Sequence, residues 1–537
     1  MTVRRSLWVL IAVASLLRLA LALSIGGFLD EAYYVLYGQN LDWAFFDHPP
    51  MTGVVAALGA GLAGWISPVV GLRFGFIVMF AGSSWLLARI TERFYDARAA
   101  LLAVLVLNST VFFGILVGGN AGPDGPLLFF WLLTLDRLSI ALRDGARTRD
   151  WLGVGLAWGL AMLSKYHAVL LPAGALLYLA VRPRARRCLL TPGPYLASAM
   201  GLAAFAPVVL WNARHGWASF LFHAHRSGGF QGIRPEFVLE AVVGQVAYLT
   251  PWLYLCLLSV LIALIRRGPR RWTDAEAFLF CQAAPAIVLF MGVSTFSRIL
   301  THWPLIGFVA LMPVLGRNLS ERLDARPVLV RNWLICVMAC PVVLAAMVVG
   351  HANLGLFQDG RGQLLGLFPP EFDLTVDMIR WDQIADELER RGLTDDPNTF
   401  LFTDNWRYSS QLALATNYKR PVACFCRDSR GFTFWSRPKD WLGRDGVFVR
   451  VIDGLAEPEF YAPWFRRVEP LADFHVTRAG VPIQTVRITR CVRLTAPFQF
   501  GYTGLGPIPR PGLSPDPGGK APSALTARAP GAPAARR

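Results

Sequence analysis

The stretch that decides the fold is Leu7–Met51, "LWVLIAVASLLRLALALSIGGFLDEAYYVLYGQNLDWAFFDHPPM". An apolar run long enough to cross a bilayer, which takes about 20 residues, passes straight into the acidic pair Asp30-Glu31. Aromatic residues follow, then Asp47-His48-Pro49-Pro50. No small-residue cleavage site follows the run and more such runs come after it, so it reads as a retained anchor and not a signal peptide.

The rest of the 537 residues repeats this alternation. The chain is 54% hydrophobic and 16% charged, with a mean hydropathy of +0.43, whereas soluble domains carry roughly 25% charged residues. Apolar runs fall near 6–24, 70–90, 99–117, 125–142, 151–164, 167–181, 193–211, 249–265, 277–296, 303–316 and 328–350. The expectation is a polytopic α-helical membrane protein with about 11 spans.

The net charge of +16 would suit nucleic acid if the arginines formed one patch. Instead they cluster in short loops: Arg4-Arg5, "TERFYDAR" (Arg93, Arg98), "RDGARTR" (Arg143, Arg147, Arg149), "RPRARR" (Arg182–Arg187), "RRGPRR" (Arg266–Arg271), and Arg317 with Arg322, Arg326 and Arg331. Every second loop is basic, which places these loops and the N-terminus in the cytoplasm and excludes a nucleic-acid partner. The other loops share the outer face with everything after about residue 351.

Past the last run the pattern changes. "WDQIADELERRG" has a helical period and a glycine stop; "NTFLFT", "PVACF", "GVFVRVI" and "PIQTVRITRCVRL" read as strands, with a helix in "DNWRYSSQLALATNY". The expected organisation is a membrane module over 1–351 with outer loops 25–69 and 212–248, a small α/β domain over 352–503, and a disordered tail rich in Pro, Gly and Ala over 504–537. Of the eight cysteines, five lie in or beside apolar runs; Cys424, Cys426 and Cys491 could supply one disulfide in an oxidising compartment.

The ionisable groups of the outer loops are the candidate site. Adjacent side chains on a helix point about 100° apart, so one of Asp30 and Glu31 faces a cavity; Asp30 is taken as general base and Glu31 as a substrate contact. His48 precedes two prolines, which hold it and Asp47 on a turn. Asp124, in "GGNAGPDGP", reads as a second catalytic carboxylate against the alternative of an anion at a helix start. Lys165, in "LSKYHAV", is a cation within an apolar hairpin and therefore a candidate functional group. "HGWASFLFHAHR" concentrates His215, His223, His225 and Arg226, residue types that suit a metal or a phosphate, and "SRILTHWP" adds Arg298 and His302. Tyr34 and Arg73 complete the set of substrate-contact candidates. Carboxylates beside cations and interfacial aromatics fit transfer of a group from a lipid-linked phosphate to a hydroxyl, and neither a P-loop nor a dinucleotide fingerprint is present.

These motifs resemble a known family. "DEAYYVLYGQNLDWAFFDHPPM", "GPDGPLLFFWLL", "GLAMLSKYHAVLLP", "WNARHGWASFLFH" and "HWP" are similar to the bacterial GT-C glycosyltransferases of the 39/83 type, which are related to protein O-mannosyltransferases, lipid A aminoarabinose transferases and rhizobial galacturonosyltransferases. The likeness covers about residues 1–310. It implies a GT-C fold in a bacterial inner membrane, a polyprenyl-phosphate sugar donor, and inverting transfer on the periplasmic face. The acceptor it implies is an envelope glycolipid or glycan such as lipid A or lipopolysaccharide core. It also implies that Asp30 is the base, that Asp47 with His225 or His223 holds a divalent metal ion, that His48 contacts phosphate where relatives carry lysine, and that Lys165 matches a family lysine. A protein acceptor is the alternative within the class. A lipid-linked sugar flippase or transporter is the alternative outside it, but its polar residues would sit near mid-bilayer, and here they gather at helix ends.

Overall fold

The structure is a computed structural model that describes residues 2–143, 145–226, 232–358, 373, 375–376, 380–436, 438–451 and 457–498. The expected disordered tail over 504–537 lies outside the described residues. The membrane module begins with α1 (Val3–Ser24), α2 (Leu29–Gln39), α3 (Met51–Ala63), α4 (Pro68–Phe94), α5 (Ala97–Asn108), α6 (Asp124–Ala141), α7 (Thr148–Met162), α8 (Leu170–Val181) and α9 (Gly193–Arg214). It continues with α10 (Ala218–Arg226), α11 (Pro235–Leu249), α12 (Pro251–Arg267), α13 (Asp274–Val293), α14 (Leu305–Val309), α15 (Met312–Ala325) and α16 (Pro327–Leu354).

The eleven expected spans are redrawn. By length and composition α1, α4, α9, α13 and α16 can each cross a bilayer alone, and eight spans result if each of three sharply bent helix pairs counts as one. The run over 249–265 becomes α12, joined to α11 at a 112° bend at Pro251. The run over 303–316 divides into α14 and α15, α7 has only 15 residues, and α6 carries Asp124, Asp136 and Arg137. Hydropathy reads apolar length; it does not see where a proline or a turn breaks the helix.

One break shows how the bundle tolerates polar backbone in an apolar setting. α5 ends at Asn108 and a π-helical segment, Val111–Val117, leaves at 69°. Arg18, inside α1 and 7% exposed, donates from Nε to the Gly114 carbonyl at 2.9 Å and from Nη2 to Asn108 Oδ1 at 2.8 Å. The Gly114 carbonyl beside the break thus finds a donor, as membrane-embedded backbone requires. Elsewhere α3 lies so close to α4 that a Cβ on Gly59 would come within 2.4 Å of the Gly71 carbonyl.

The expected C-terminal helix and strands form as α17 (Trp381–Arg390), α18 (Trp406–Ala415), β1 (Thr399–Thr403), β2 (Val422–Cys424), β3 (Asp445–Val451) and, after two strands not foreseen, β6 (Val481–Leu494). The additional strands are β4 (Phe465–Pro470) and β5 (Phe474–Arg478). The sheet order is β2-β1-β3-β6-β4, with β5 also on β6; β1 pairs parallel with β2 and β3, and the remaining pairings are antiparallel. The eight cysteines are free thiols, with Cys424 and Cys426 sulfur to sulfur at 3.3 Å.

The domain docks through α18 onto α2. Gln411 donates to the Gly27 carbonyl at 2.7 Å, and the Trp406 ring lies 4.8 Å from that of Tyr33. A second tie joins the last membrane helix to the sheet: Asp373 accepts from Arg478 at 2.5 Å and lies 3.0 Å from His351 of α16. These contacts place the domain over the mouth of the bundle.

Candidate active site

A cavity of about 660 Å³ opens where α2, α6, the Lys165 break and α10 meet the C-terminal domain. Asp30, Tyr34, Asp47, His48, Asp124, Lys165, His223 and His302 line it, so the structure brings together candidates drawn from across the first 302 residues. The other wall is apolar, with Phe205, Phe220, Leu289, Phe290 and Leu300.

Asp30 and Glu31 part company at the start of α2. Glu31 is 2% exposed and accepts four hydrogen bonds: from Arg73 Nε at 2.9 Å and Nη2 at 2.6 Å, and from the backbone N–H groups of Phe28 at 2.8 Å and Ala121 at 2.7 Å. Arg73 donates two further bonds, to the carbonyls of Ile25 and Gly26. The pair therefore ties α1, α2, α4 and the approach to α6 together, and the reading of Glu31 and Arg73 as substrate contacts gives way to a structural one. Asp30 points the other way, its side chain 58% exposed, with one ion pair among the described residues, to Arg407 Nε at 3.3 Å.

Asp124 accepts from Lys165 Nζ at 2.8 and 2.9 Å, with His302 at 3.8 Å. The Lys165 side chain is nearly buried while that of Asp124 is a quarter exposed to the cavity. Arg298, by contrast, is 69% exposed and reaches Glu240 at 2.9 Å, away from the cavity lining; its reading as a substrate contact is set aside. Its neighbour His302 turns inward against Phe112, so two residues of one motif face opposite ways.

Asp47 is 3% exposed. It accepts from the hydroxyls of Tyr37 and Tyr33 and from Arg430 Nη1 at 3.0 Å. Burial alone would raise its pKa, but the adjacent His48, the Arg430 guanidinium and the Tyr37 hydroxyl hold it below the usual carboxylate range. Burial, with the charge of Asp47, pushes the Tyr33 and Tyr37 hydroxyls well up, so both remain donors. His48, buried beside it, is pushed down to about 3 by desolvation and is a neutral imidazole at neutral pH. It can therefore meet a phosphate as an N–H donor and not as a cation. Its Nδ1 is buried without a hydrogen-bond partner among the described residues.

The metal expectation finds little to hold it. Asp47 is already engaged by Arg430 and two hydroxyls, His223 directs Nε2 to the Asp47 carbonyl at 2.8 Å, and the side chain of His225 lies outside the described residues. Among the described residues no group of three His, Cys, Asp or Glu side chains converges as a metal site.

Two functional candidates were not foreseen, Arg407 and Arg430, both from the C-terminal domain and both lining the cavity. Arg430 stacks over the Trp406 ring at 3.8 Å, and its Nε forms an ion pair with Asp428 at 3.5 Å. Arg407 lies in "DNWRYSS", within the crossover from β1 to β2, and Arg430 begins "RGFTFW" after β2.

Comparison with known proteins bears on the fold. A family profile described as dolichyl-phosphate-mannose-protein mannosyltransferase matches residues 47–211. Lipid A galacturonosyltransferase RgtD of Rhizobium johnstonii is 26% identical over 300 residues, 53% of this chain, and the chain spans 58% of that relative's length. The crystal structure of ArnT from Cupriavidus metallidurans in the apo state superposes with a TM-score of 0.58 at 16% identity, over 91% of this chain and 98% of that one. The same protein bound to undecaprenyl phosphate gives 0.58 at 17% identity, over 90% and 97%. By fold, the chain is a membrane protein of the ArnT-like GT-C type.

Proposed function

We propose that this protein is an integral membrane glycosyltransferase that moves a sugar from a polyprenyl-phosphate donor to a hydroxyl of an envelope glycolipid or glycan. The observation that carries the proposal is the cavity's composition: a lightly held carboxylate, Asp30, faces the same 660 Å³ space as Lys165, Arg430 and a wall of phenylalanine and leucine. An amphiphilic donor suits such a space, with its isoprenoid on the apolar wall and its phosphate toward the cations. The alternation of basic loops supports a cavity on the periplasmic face of an inner membrane.

The chemistry follows from these positions. Asp30 takes the proton of the acceptor hydroxyl as its oxygen bonds to the anomeric carbon. The bond from that carbon to the phosphate oxygen breaks, and the leaving polyprenyl phosphate keeps the electron pair. A single displacement inverts the anomeric centre. Lys165, Arg430 and the His48 N–H hold the departing charge, Asp124 keeps Lys165 aimed, and Asp47 does the same for Arg430. Lipid A is the acceptor on which the RgtD relative acts by its name, and it is the acceptor class favoured here.

The test is Asp30→Asn in purified protein given a lipid-linked donor. Turnover should fall by about a hundred- to ten-thousand-fold with thermal stability unchanged, because the side chain makes one exposed contact. Near-normal turnover would overturn the assignment. Mass spectrometry of lipid A, core oligosaccharide and envelope proteins from a deletion strain identifies sugar and acceptor together.

A further inference from the structure

Two thiols of the C-terminal domain take no part in the transfer chemistry. Cys424, the last residue of β2, is fully buried, and Cys426 is 8% exposed. Residues two apart in extended chain share a face. Both cysteines lie in the aromatic cluster between the domain and α2, with Tyr33, Tyr37 and Trp406. Phe425 between them turns the other way, into the cluster of Phe400, Phe402 and Phe448.

The two sulfurs stand 3.3 Å apart, and a disulfide bond of about 2.0 Å asks them to approach by roughly 1.3 Å. The backbone around them is pinned. The Phe425 N–H donates to the Thr403 carbonyl at 2.9 Å, the Phe425 carbonyl accepts from the Tyr461 hydroxyl at 2.8 Å, and the Ala423 carbonyl accepts from Ser409 at 2.8 Å. Neither thiol can drift far from the other. Cys491 is no rival partner: it lies in the opposite cluster, on β6, three places from β2 in the sheet and about 14 Å away at the usual strand spacing.

We infer that Cys424 and Cys426 form a disulfide when the domain stands in an oxidising compartment. The inference rests on the outward placement of the domain and not on the transfer reaction. The oxidant is itself a disulfide, of a protein or of glutathione. The thiolate of the more exposed Cys426 attacks it, and one oxidant thiol leaves. The Cys424 thiolate then attacks the Cys426 sulfur of the mixed disulfide, and the second oxidant thiol leaves. The cysteines lose two electrons and two protons, and the oxidant gains both. Arg430 follows Cys426 by four residues, so the closed ring braces the segment that carries this guanidinium to the catalytic cavity.

The pairing is read by mass, without donor or turnover. Bacterial cells making the full chain are quenched with N-ethylmaleimide in denaturant, and the tryptic peptide Arg420–Arg427, which holds both cysteines, is weighed before and after reduction. Before reduction it should carry no maleimide and be two hydrogens lighter than the reduced peptide; after reduction it should take two labels, whereas Cys491 takes its label at once. Two labels before reduction, both in cells and after the purified chain in detergent has been treated with oxidised glutathione, would overturn the pair, as would a disulfide from either thiol to Cys491. Closure by glutathione but not in cells would uphold the pair and refute the outward placement. Reduction should also lower the unfolding temperature of the wild type while leaving that of the double variant Cys424→Ser, Cys426→Ser unchanged; equal shifts in the two would overturn the bracing role.

Discussion

Glu31, on the membrane side of the site, is held by an arginine 42 residues away on a neighbouring helix, whereas Asp47 is held by Arg430, 383 residues away in the C-terminal domain. The first pair is closed. Arg73 makes two bonds to Glu31 and two to carbonyls, and backbone N–H groups fill the remaining carboxylate positions. The second is open: Arg430 makes one bond to Asp47 at 3.0 Å and an ion pair with Asp428 at 3.5 Å, and a cavity lies in front of it. Both carboxylates are buried, but Arg73 is fully buried whereas Arg430 is 16% exposed; what differs is whether the guanidinium faces a space that a ligand can enter. A closed pair fixes the scaffold, and an open pair can bind.

The strongest test of that contrast removes one charge from each. Glu31→Gln leaves Arg73, fully buried, without its anion, and Arg430→Ala leaves Asp47 without its cation. Each should cost about 3–5 kcal/mol of stability, read as a lowered unfolding temperature in detergent. The two should then separate. Turnover per folded molecule should survive Glu31→Gln and collapse in Arg430→Ala, with Arg430→Lys recovering stability but not turnover, since an ammonium lacks the fork. Full stability with lost turnover in Glu31→Gln would erase the distinction.

A smaller effect separates the domain's own scaffold from the site. Glu387 of α17 accepts from Arg390 at 2.6 and 2.7 Å and from Arg391 at 2.7 Å, and the Arg390 bond leads in lowering it from 4.5 to about 2. A carboxylate depressed on folding stabilises above its unfolded pKa and loses that contribution as pH falls through the folded value. Glu387→Gln should therefore lower stability by about 1 kcal/mol at pH 7. The gap from wild type should close between pH 4.5 and about 2. Hydrogen exchange over Trp381–Arg390 reads it, and a gap independent of pH would refute the assignment.

How much of this was legible follows from what a charge costs where it stands. In an apolar bundle an ionisable group is conspicuous, because the bilayer excludes it unless it serves some purpose. Asp30, Asp47, Asp124, Lys165 and His302 were found on that ground, and they meet in one cavity. Conspicuous charge does not say which way a side chain turns: Glu31 and Arg73 answer each other, and Arg298 faces outward. Arg18 was passed over, since one arginine in a long apolar run looks incidental until the broken helix beside it is seen. Arg407 and Arg430 could not be singled out, because an arginine on a soluble domain costs nothing and their significance arises only when α18 docks on α2. The fold class was readable from hydropathy; the breaks that shape the spans come from local backbone demands that hydropathy averages away.

The smallest effect tests the most exposed contact. Arg407 reaches Asp30 at 3.3 Å with side chains 45% and 58% exposed, and its guanidinium also rests over Trp406 at 4.8 Å. Exposed ion pairs are worth little, so Arg407→Ala should change stability by less than about 0.5 kcal/mol. If Asp30 is the base, the arginine competes for the carboxylate in the free protein. Removing it should leave the turnover rate within a few-fold of wild type. A loss of stability comparable to that of Arg430→Ala would mean that this contact, too, belongs to the scaffold, and that the cavity's open side is narrower than its geometry suggests.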